Sequence, residues 1–420
     1  MSEMTRKQSA TQWTDVVWTD ILGHPRLLRT RLEPESWSQL RINAADVVVS
    51  HDGHARATAR PLGLQPDQAT SYPSPWESDV SIVMADIVEV DGQPSSVCSR
   101  TALRQVLDTA AGSGFEVMTA AELEFYLIDP LTLRPIFNEI ANYSIIRGAL
   151  LEDVLRPIRI DLATCDIPIE AMNPEYAGGQ AEVNLRYGPA LRSADRATLL
   201  RLLIRRAALR AGVRATFMAK PWRDQAGSGL HVHQSLWSEG RNLMSSGTKP
   251  GSLCLSYVAG LIEHTQRLSL LGSSTPNSFH RRADFSFAPT VVTWGSDNRT
   301  LSTRVVEGSP TATRVEQRDA AADANIYLVM AGQIAAGLDG VTRGLQPPPP
   351  STGNAYADRS LPPVPRTFVE AFELFTTDIE VERLLPGGII TAYRDALEPE
   401  LELAVTYPAD WERDRYLDSV

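Results

Sequence analysis

The first hundred residues consist of short apolar runs separated by glycine, proline and polar turn residues. Such a pattern predicts a mostly β region, because strands are short and turns need residues with unusual backbone freedom. The pattern predicts a strand at residues 13–23 that turns at Gly23, a hairpin partner at Leu27–Leu32, and strands at Val47–Ser50 and Val80–Val90, with Asp91-Gly92 as a turn.

Beyond Arg100 the apolar positions recur at helical spacing as well as at strand spacing. We therefore place a domain boundary near residue 100 and expect domains at residues 1–100 and 101–420. The spacing predicts helices at Thr101–Ala111, Thr198–Ala211 and Ala320–Leu338, the last apolar nearly all round and hence buried, a strand at Ala121–Ile128, and a rigid loop at Pro347–Pro350.

The net charge of −11 over 420 residues argues against a nucleic-acid or anionic-membrane partner. The three cysteines, Cys98, Cys165 and Cys254, lie far apart without a CxxC pair, which predicts a reducing cytoplasm and no thiolate zinc site. We expect no secretory signal in the polar stretch Met1–Gln12, and no run of about twenty apolar residues that could span a membrane.

Two of the seven histidines, His231 and His233, follow a loop that contains Gly227 and Gly229. Residues i and i+2 of a strand share a face, so both imidazoles are expected to point into one cavity. The glycines allow backbone to come close to a ligand. An isolated H-x-H pair is as often structural as metal-binding, so the pair alone leaves both interpretations open.

Carboxylates occur at matching positions elsewhere. Glu122 and Glu124 share one face of an apolar strand, where two buried like charges need a cation or a proton, although a solvated face is the alternative. With Glu175, Glu182 and Glu316, and with His231 as the nitrogen donor, the set favours Mg²⁺ or Mn²⁺ over Zn²⁺ or Cu²⁺.

Five arginines lie within forty residues: Arg281, Arg299, Arg304, Arg314 and Arg318. A single surface arginine is usually only solvated, but a cluster beside two metal ions is typical of phosphoryl transfer. The chain has neither a P-loop nor the loops of a protein kinase, so an ATP-using enzyme with this sequence must belong to another class.

These segments, in this order, resemble the glutamine synthetase superfamily, and in particular its γ-glutamyl-amide and γ-glutamyl-polyamine ligase branch. The matching motifs are Glu122-Leu-Glu124, Glu175 with Gly179-Gln180-Ala-Glu182, Lys220-Pro, Gly227-Ser-Gly-Leu-His231-Val-His233, Asn277-Ser-Phe-His-Arg281, Ala288-Pro289, Trp294-Gly295, Asn298-Arg299, Arg304, Arg314-Val-Glu316-Gln-Arg318, Ala324-Asn325 and Leu338-Asp339-Gly340. The resemblance implies an α+β fold with an N-terminal β-grasp domain and a catalytic domain built on a curved antiparallel sheet.

The resemblance also implies roles for individual residues, with ATP and two or three Mg²⁺ or Mn²⁺ ions in the site. Glu124, Glu175 and Glu182 correspond to ligands of a first metal, and Glu122, His231 and Glu316 to ligands of a second. Gly227, His231, Arg281 and Arg318 correspond to the glutamate-binding set, Ser235, Arg304 and Arg314 to nucleotide contacts, and Arg299 to the arginine that stabilises the phosphoryl group. The catalytic set is therefore Arg299, Arg318 and the residue at the position of Phe287.

Three departures from the family pattern affect the substrate. Phe287 stands where ammonia-using members have a glutamate that closes the site and accepts a proton from ammonium. The Asp-Gly-Ser-Ser loop that enters the neighbouring subunit's site is absent, and neither Asp46 nor Asp52 can be aligned with it. Ala226 replaces an asparagine that helps to hold glutamate.

The sequence therefore predicts an ATP-dependent ligase that joins the γ-carboxylate of glutamate to an amine other than ammonia. An ordinary glutamine synthetase and a catalytically silent homologue are the alternatives. The resemblance further implies a homododecamer of two hexameric rings with active sites between subunits.

Overall fold

The computed structural model describes residues 12–407 and 409–417. The expectation for Met1–Gln12 therefore concerns residues outside this range, apart from Gln12. The architecture is a mixture of helices and two large sheets, which agrees with the predicted α+β class.

The smaller sheet contains six strands in the order β2-β1-β6-β4-β3, with β5 paired to β6. β1 and β2 form the predicted hairpin, whose turn places Gly23 at φ +87°, and β1 runs parallel to β6. The strands are β1 (Trp13–Thr19), β2 (Pro25–Thr30), β3 (Arg41–Asn43), β4 (Pro61–Pro66), β5 (Tyr72–Pro73) and β6 (Val80–Val88).

The predicted strand at Val47–Ser50 is wrong. A 3-10 turn at Ala44–Asp46 precedes it, stabilised by the Asn43 side chain, which accepts a hydrogen bond from the backbone N–H of Ala45. The valines that follow are buried, and only an isolated bridge between Val49 and Ala55 forms. A short apolar run is compatible with several buried conformations, and here the polar cap determines which one forms.

The larger sheet has ten strands, seven of them in the order β16-β17-β18-β12-β7-β9-β8. Its strands are β7 (Glu116–Ile128), β8 (Ile169–Pro174), β9 (Gln180–Leu185), β10 (Gly188–Pro189), β11 (Arg214–Thr216), β12 (Leu230–Ser238), β13 (Arg241–Asn242), β16 (Trp294–Ser296), β17 (Thr303–Val306) and β18 (Arg314–Gln317). A separate short hairpin joins β14 (Ser245–Ser246) to β15 (Lys249–Pro250).

Strand β7 determines which side chains reach the concave side of this sheet. Its residues alternate between buried and partly exposed, with Leu123 and Phe125 in the core and Glu122 and Glu124 on the opposite face. Because side chains alternate with a period of two, the apolar set fixes the orientation of the carboxylates.

Eleven α-helices lie within the described residues, and two of them, Ser99–Gly112 and Ala190–Arg210, contact strand β7. Their bounds are α1 (Ser99–Gly112), α2 (Ile145–Ala149), α3 (Glu152–Thr164), α4 (Ala190–Arg210), α5 (Ser252–Leu268), α6 (Pro276–Phe279), α7 (Ile326–Thr342), α8 (Phe368–Thr377), α9 (Ile379–Leu384), α10 (Gly387–Thr406) and α11 (Asp410–Tyr416). The first predicted helix is confirmed as α1, whereas α4 begins eight residues before the predicted Thr198.

The predicted helix at Ala320–Leu338 starts later, at Ile326, and is buried as expected. Asn325 ends the preceding segment, because its side-chain oxygen accepts the backbone N–H of Tyr327 at 3.0 Å. Residues 320–325 instead run beside the loop that contains Gly227 and Gly229, and the N–H of Leu230 donates to the carbonyl of Ala320 at 3.0 Å.

The larger hydrophobic core includes side chains from both sides of residue 100, among them Val17 and Ile82 from the smaller sheet and Leu103 from α1. The division into domains at residues 1–100 and 101–420 therefore stays a prediction. The three cysteines are free and buried. Among the described residues no helix combines the length and apolarity that a membrane span requires.

Candidate active site

The register of the larger sheet brings the predicted metal ligands together. His231 on β12 lies opposite Glu122 on β7, and Glu124 lies opposite Glu182 on β9. Glu316 on β18 lies opposite His233 on β12. Residues that are far apart in the chain, such as Glu122 and His231, thus become cross-strand neighbours, whose Cβ atoms are typically about 4.5–5.5 Å apart.

These strands form the floor of a cavity of about 150 Å³. Ten of the predicted site residues line it: Glu122, Glu124, Glu175, Glu182, Gly227, His231, Arg281, Phe287, Arg299 and Arg318. Six further lining residues are Asn142, Tyr143, Tyr176, Gln180, Ala226 and Ser286.

Four predicted site residues do not line this cavity. Glu316 is buried beside it and accepts hydrogen bonds from Arg318 and, at 2.9 Å, from Arg304. Arg314 donates to Nδ1 of His233 at 3.1 Å, and Ser235 accepts from the indole N–H of Trp237 at 2.8 Å. The structure therefore places the predicted nucleotide-contacting residues on the same sheet but outside the cavity.

Two groups of side chains have ligand atoms close enough to share an ion. In one, ligand atoms of Glu122, Glu124 and His231 all lie within 4.8 Å of one another. In the other, the same holds for Glu122, His233 and Glu316. The sequence predicted that His231 and His233 point into one cavity, but only His231 lines it. His233 belongs to the second possible ligand group: His231 Nδ1 lies 2.5 Å, and His233 Nε2 3.5 Å, from the Glu122 carboxylate.

Burial and mutual repulsion make it costly to ionise Glu182 and Glu175 when no cation is present. Burial, together with the charges of Glu122, Glu124 and Glu175, raises the pKa of Glu182 to about 10. Burial and Glu124 likewise raise the pKa of Glu175 to about 7. A divalent cation removes such repulsion, and an oxygen-rich donor set with one imidazole fits Mg²⁺ or Mn²⁺.

Basic neighbours have the opposite effect on two further carboxylates, Glu316 and Glu122. Burial acts to raise the pKa of Glu316, but Arg318 and both histidines outweigh it and hold this pKa at about 2. The pKa of Glu122 is also held well below its usual value, because His231 and His233 outweigh burial. The site thus contains both negative side chains for cations and arginines for anionic groups.

The glycines of the loop before β12 allow close approach to Arg281. A Cβ at Gly227 would lie 2.7 Å from Cγ of Arg281, and a Cβ at Gly229 would lie 2.6 Å from its Nη2 and 2.8 Å from Nε2 of His231. The sequence predicted close approach of a ligand, whereas the structure shows that the loop also makes room for the buried guanidinium that lines the cavity.

Gln180, which the sequence analysis named within a motif but gave no role, positions two neighbouring groups of the site. Its side-chain amide lies 3.4 Å from Glu124 Oε2 and donates to the carbonyl of Gly227 at 3.1 Å, and the N–H of Gly229 donates to the same Glu124 oxygen at 2.8 Å. Its place in the Gly179-Gln180-Ala-Glu182 motif was the available signal, and its burial explains the role, because a buried amide needs partners.

Phe287 lies at the mouth of the cavity with 55% of its surface exposed. Its φ is +62°, and its ring centroid is 5.6 Å from that of Tyr176. Such a φ is uncommon outside glycine, so the surrounding loop determines where this side chain sits. Asp52, by contrast, lies in a surface turn, where it accepts hydrogen bonds from Ser50 and His54.

Residues 96–416 match the family described as glutamine synthetase, catalytic domain. The chain is 31% identical over 375 residues to glutamate–isopropylamine ligase of Pseudomonas sp, covering 86% of this chain and 82% of that protein. It is 32% identical to gamma-glutamylethanolamide synthetase of Streptomyces coelicolor, covering 84% and 78% of the two chains, and 31% identical to glutamine synthetase of Thermotoga maritima, covering 88% of each. The solved structure of a GmaS/ADP complex superposes with a TM-score of 0.87 at 26% identity, covering 98% of this chain and 97% of that one.

Proposed function

Because the chain belongs to the glutamine synthetase family, we propose that it is an ATP-dependent ligase that joins the γ-carboxylate of glutamate to an amine other than ammonia. The observation that carries this proposal is that ten of the fourteen predicted site residues, both acidic and basic, line one cavity whose mouth has Phe287 in place of an acid. A catalytically silent homologue would be expected to lose such a set.

The proposed reaction has two steps. An oxygen of the glutamate γ-carboxylate attacks the terminal phosphorus of ATP, and ADP leaves. This gives a γ-glutamyl phosphate. The neutral amine nitrogen then attacks its acyl carbon, the bond from that carbon to the phosphate oxygen breaks, and the nitrogen passes a proton to the leaving phosphate as the amide forms. Arg299 and Arg318 line the cavity with guanidinium groups suited to the moving phosphoryl group.

The metal site proposed here consists of the ligands inferred from the resemblance. Glu124, Glu175 and Glu182 would hold one ion, and Glu122, His231 and Glu316 another. When bound, divalent ions neutralise phosphate charge and stabilise transfer. Gly227, His231, Arg281 and Arg318 are proposed to bind glutamate, and Ser235, Arg304 and Arg314 to contact the nucleotide.

An ordinary glutamine synthetase is the second candidate, since enzymes with that name are among the relatives. The aromatic pair at the cavity mouth favours a substituted amine, because a small desolvated ammonium ion needs charged partners. A phenyl ring can neither accept a proton nor supply a full negative charge.

We expect wild-type protein to release ADP when glutamate and an alkylamine are both present, and to use ammonia poorly. Phe287→Glu should weaken the use of apolar amines and raise ammonia use slightly, since a general base is typically worth about 10²–10⁴-fold but one acid alone does not rebuild the site. The measurement is kcat/KM for ammonia and for a hydrophobic monoamine, and mass spectrometry of the product identifies the amide formed. A wide margin in favour of ammonia would identify a plain glutamine synthetase.

We propose a homododecamer of two hexameric rings with active sites between subunits. Closed symmetric assemblies are the common oligomers, and several apolar side chains of the segment between β7 and α3 are exposed, including Leu131, Ile145 and Ile146. Sedimentation velocity on the active enzyme should show a single large species. A monomer with full specific activity would contradict this proposal.

A further inference from the structure

Three aromatic side chains surround the outer part of the cavity: Tyr143, Tyr176 and Phe287, here called the aromatic mouth. All three line the cavity, yet each is at least 40% exposed. Exposed aromatic rings that converge on one cavity are typical of a site that covers an apolar group. The acidic lining residues, in contrast, are the four glutamates of the floor, which belong to the proposed metal site.

Tyr176 and Phe287 have fixed positions relative to that floor. Tyr176 directly follows Glu175, and its backbone N–H donates to the Glu175 carboxylate at 2.8 Å. Phe287 is held in the left-handed region and packs against the Tyr176 ring. The position of the Tyr176 ring is therefore set by the end of β8, and that of the Phe287 ring by a constrained loop.

Two acidic side chains close in sequence to the mouth residues have arginine partners, and one hydroxyl that lines the cavity has a carbonyl partner. Asp284, in the same loop as Phe287, pairs with Arg359 at 2.9 Å, and Glu139 pairs with Arg147 at 3.2 Å. The Ser286 hydroxyl donates to the carbonyl of Arg281 at 2.8 Å. A second positive charge on a diamine would therefore enter an aromatic mouth whose neighbouring carboxylates are engaged.

We propose that the acceptor is a monoamine with a small apolar substituent, and that Tyr176 and Phe287 select it by packing against that substituent. The inference rests on the proposed ligase function and names its amine class. Tyr176 is the new specificity-determining residue, since neither the motifs nor the charges of the sequence point to it.

Three amines of equal length test the proposal: n-butylamine, 3-amino-1-propanol and 1,3-diaminopropane. They differ only in a terminal methyl, hydroxyl or ammonium group. We expect kcat/KM to fall in that order, with about a tenfold or larger gap between the first and the last, the size of discrimination that one group in an apolar pocket provides. Equal or better use of the diamine, for example through cation–π contacts, would overturn the inference.

Variants connect this selectivity to the rings. Tyr176→Ala should reduce the ratio of n-butylamine to diaminopropane to about threefold or less, whereas Tyr176→Phe should keep it, because the apolar ring is what packs. Phe285→Leu is the matched control for Phe287→Leu: Phe285 lies in the same loop at φ +63° and is exposed, but its ring contacts Tyr356 instead. Only the change at Phe287 should lower the ratio.

The amine ratio within one variant does not depend on how much of the protein is folded. An unchanged ratio in both Tyr176→Ala and Phe287→Leu would overturn the inference while leaving the ligase function intact. If no amine stimulates ADP release in the wild-type enzyme, the proposed function itself fails.

Discussion

Replacing Glu124 or His231 by alanine is expected to lower ADP release by about a hundredfold or more. Each side chain belongs to the group whose ligand atoms lie within 4.8 Å of one another. A bound divalent ion provides several kcal/mol of transition-state charge stabilisation, and a loss of about 3 kcal/mol corresponds to roughly a hundredfold in rate.

The two variants test different parts of the floor. Glu124 is fixed by the N–H of Gly229 at 2.8 Å, so its removal leaves that buried loop without its acceptor. His231 lies 3.3 Å from Nη2 of Arg281, so its removal also affects the proposed glutamate site. Mg²⁺ or Mn²⁺ titrations of the wild-type and variant enzymes separate weaker metal binding from a lower rate at saturation.

The matched control lies on the same strand. Glu116 begins β7 and is exposed, so Glu116→Ala should leave turnover within about twofold of wild type, as expected for a surface substitution. Chelation of the wild-type enzyme should abolish ADP release, and added Mg²⁺ or Mn²⁺ should restore it. Near wild-type turnover of Glu124→Ala at limiting metal would contradict the assignment.

The sequence predicted the floor of the site because the strand pattern there is regular. Alternation along β7 places Glu122 and Glu124 on one face, and an H-x-H pair on a strand has the same property. The register between strands cannot be obtained from one strand alone. Only the structure shows that Glu122 pairs across strands with His231, and Glu124 with Glu182.

Prediction failed where polar side chains determine the backbone. Asn43 starts a 3-10 turn before an apolar run that was interpreted as a strand, and Asn325 delays the start of α7. The aromatic pair of Tyr176 and Phe287 joins two loops that are distant in sequence, and no periodicity relates them. Loop positions depend on tertiary contacts, which is why the mouth was less predictable than the floor.

Replacing Arg100 by methionine is expected to lower the free energy of unfolding by about 3–5 kcal/mol, the usual cost of breaking a buried ion pair from one side. The Arg100 side chain is only 3% exposed and lies 2.8–2.9 Å from carboxylate oxygens of Asp67, Asp86 and Asp195. Asp86 belongs to the smaller sheet and Asp195 to α4, so one guanidinium connects the two parts of the fold.

The cost arises from the acids that remain. Asp195 is buried and also accepts the hydroxyl of Tyr327 at 2.7 Å, so it cannot turn toward water without losing that bond. Burial acts to lower the pKa of Arg100, but Asp195 and Asp86 outweigh it and raise this pKa above its ordinary value. Methionine fills much of the volume but leaves Asp195 without its cation, and leaves Asp67 and Asp86 with Arg104 alone.

Denaturant titration of Arg100→Met, Arg100→Lys and Arg104→Met distinguishes a buried charge cluster from a surface one. Arg104 lies one turn further along α1, contacts Asp86 at 2.7 Å and is 39% exposed, so its loss should cost under about 1 kcal/mol. Arg100→Lys should fall between the two, because an ammonium keeps the charge but cannot match three carboxylates with a planar fork. Equal losses of unfolding free energy in Arg100→Met and Arg104→Met would contradict this prediction. The three carboxylates would then have to be hydrated or protonated in solution, and the connection between the smaller sheet and α4 would depend on apolar packing alone.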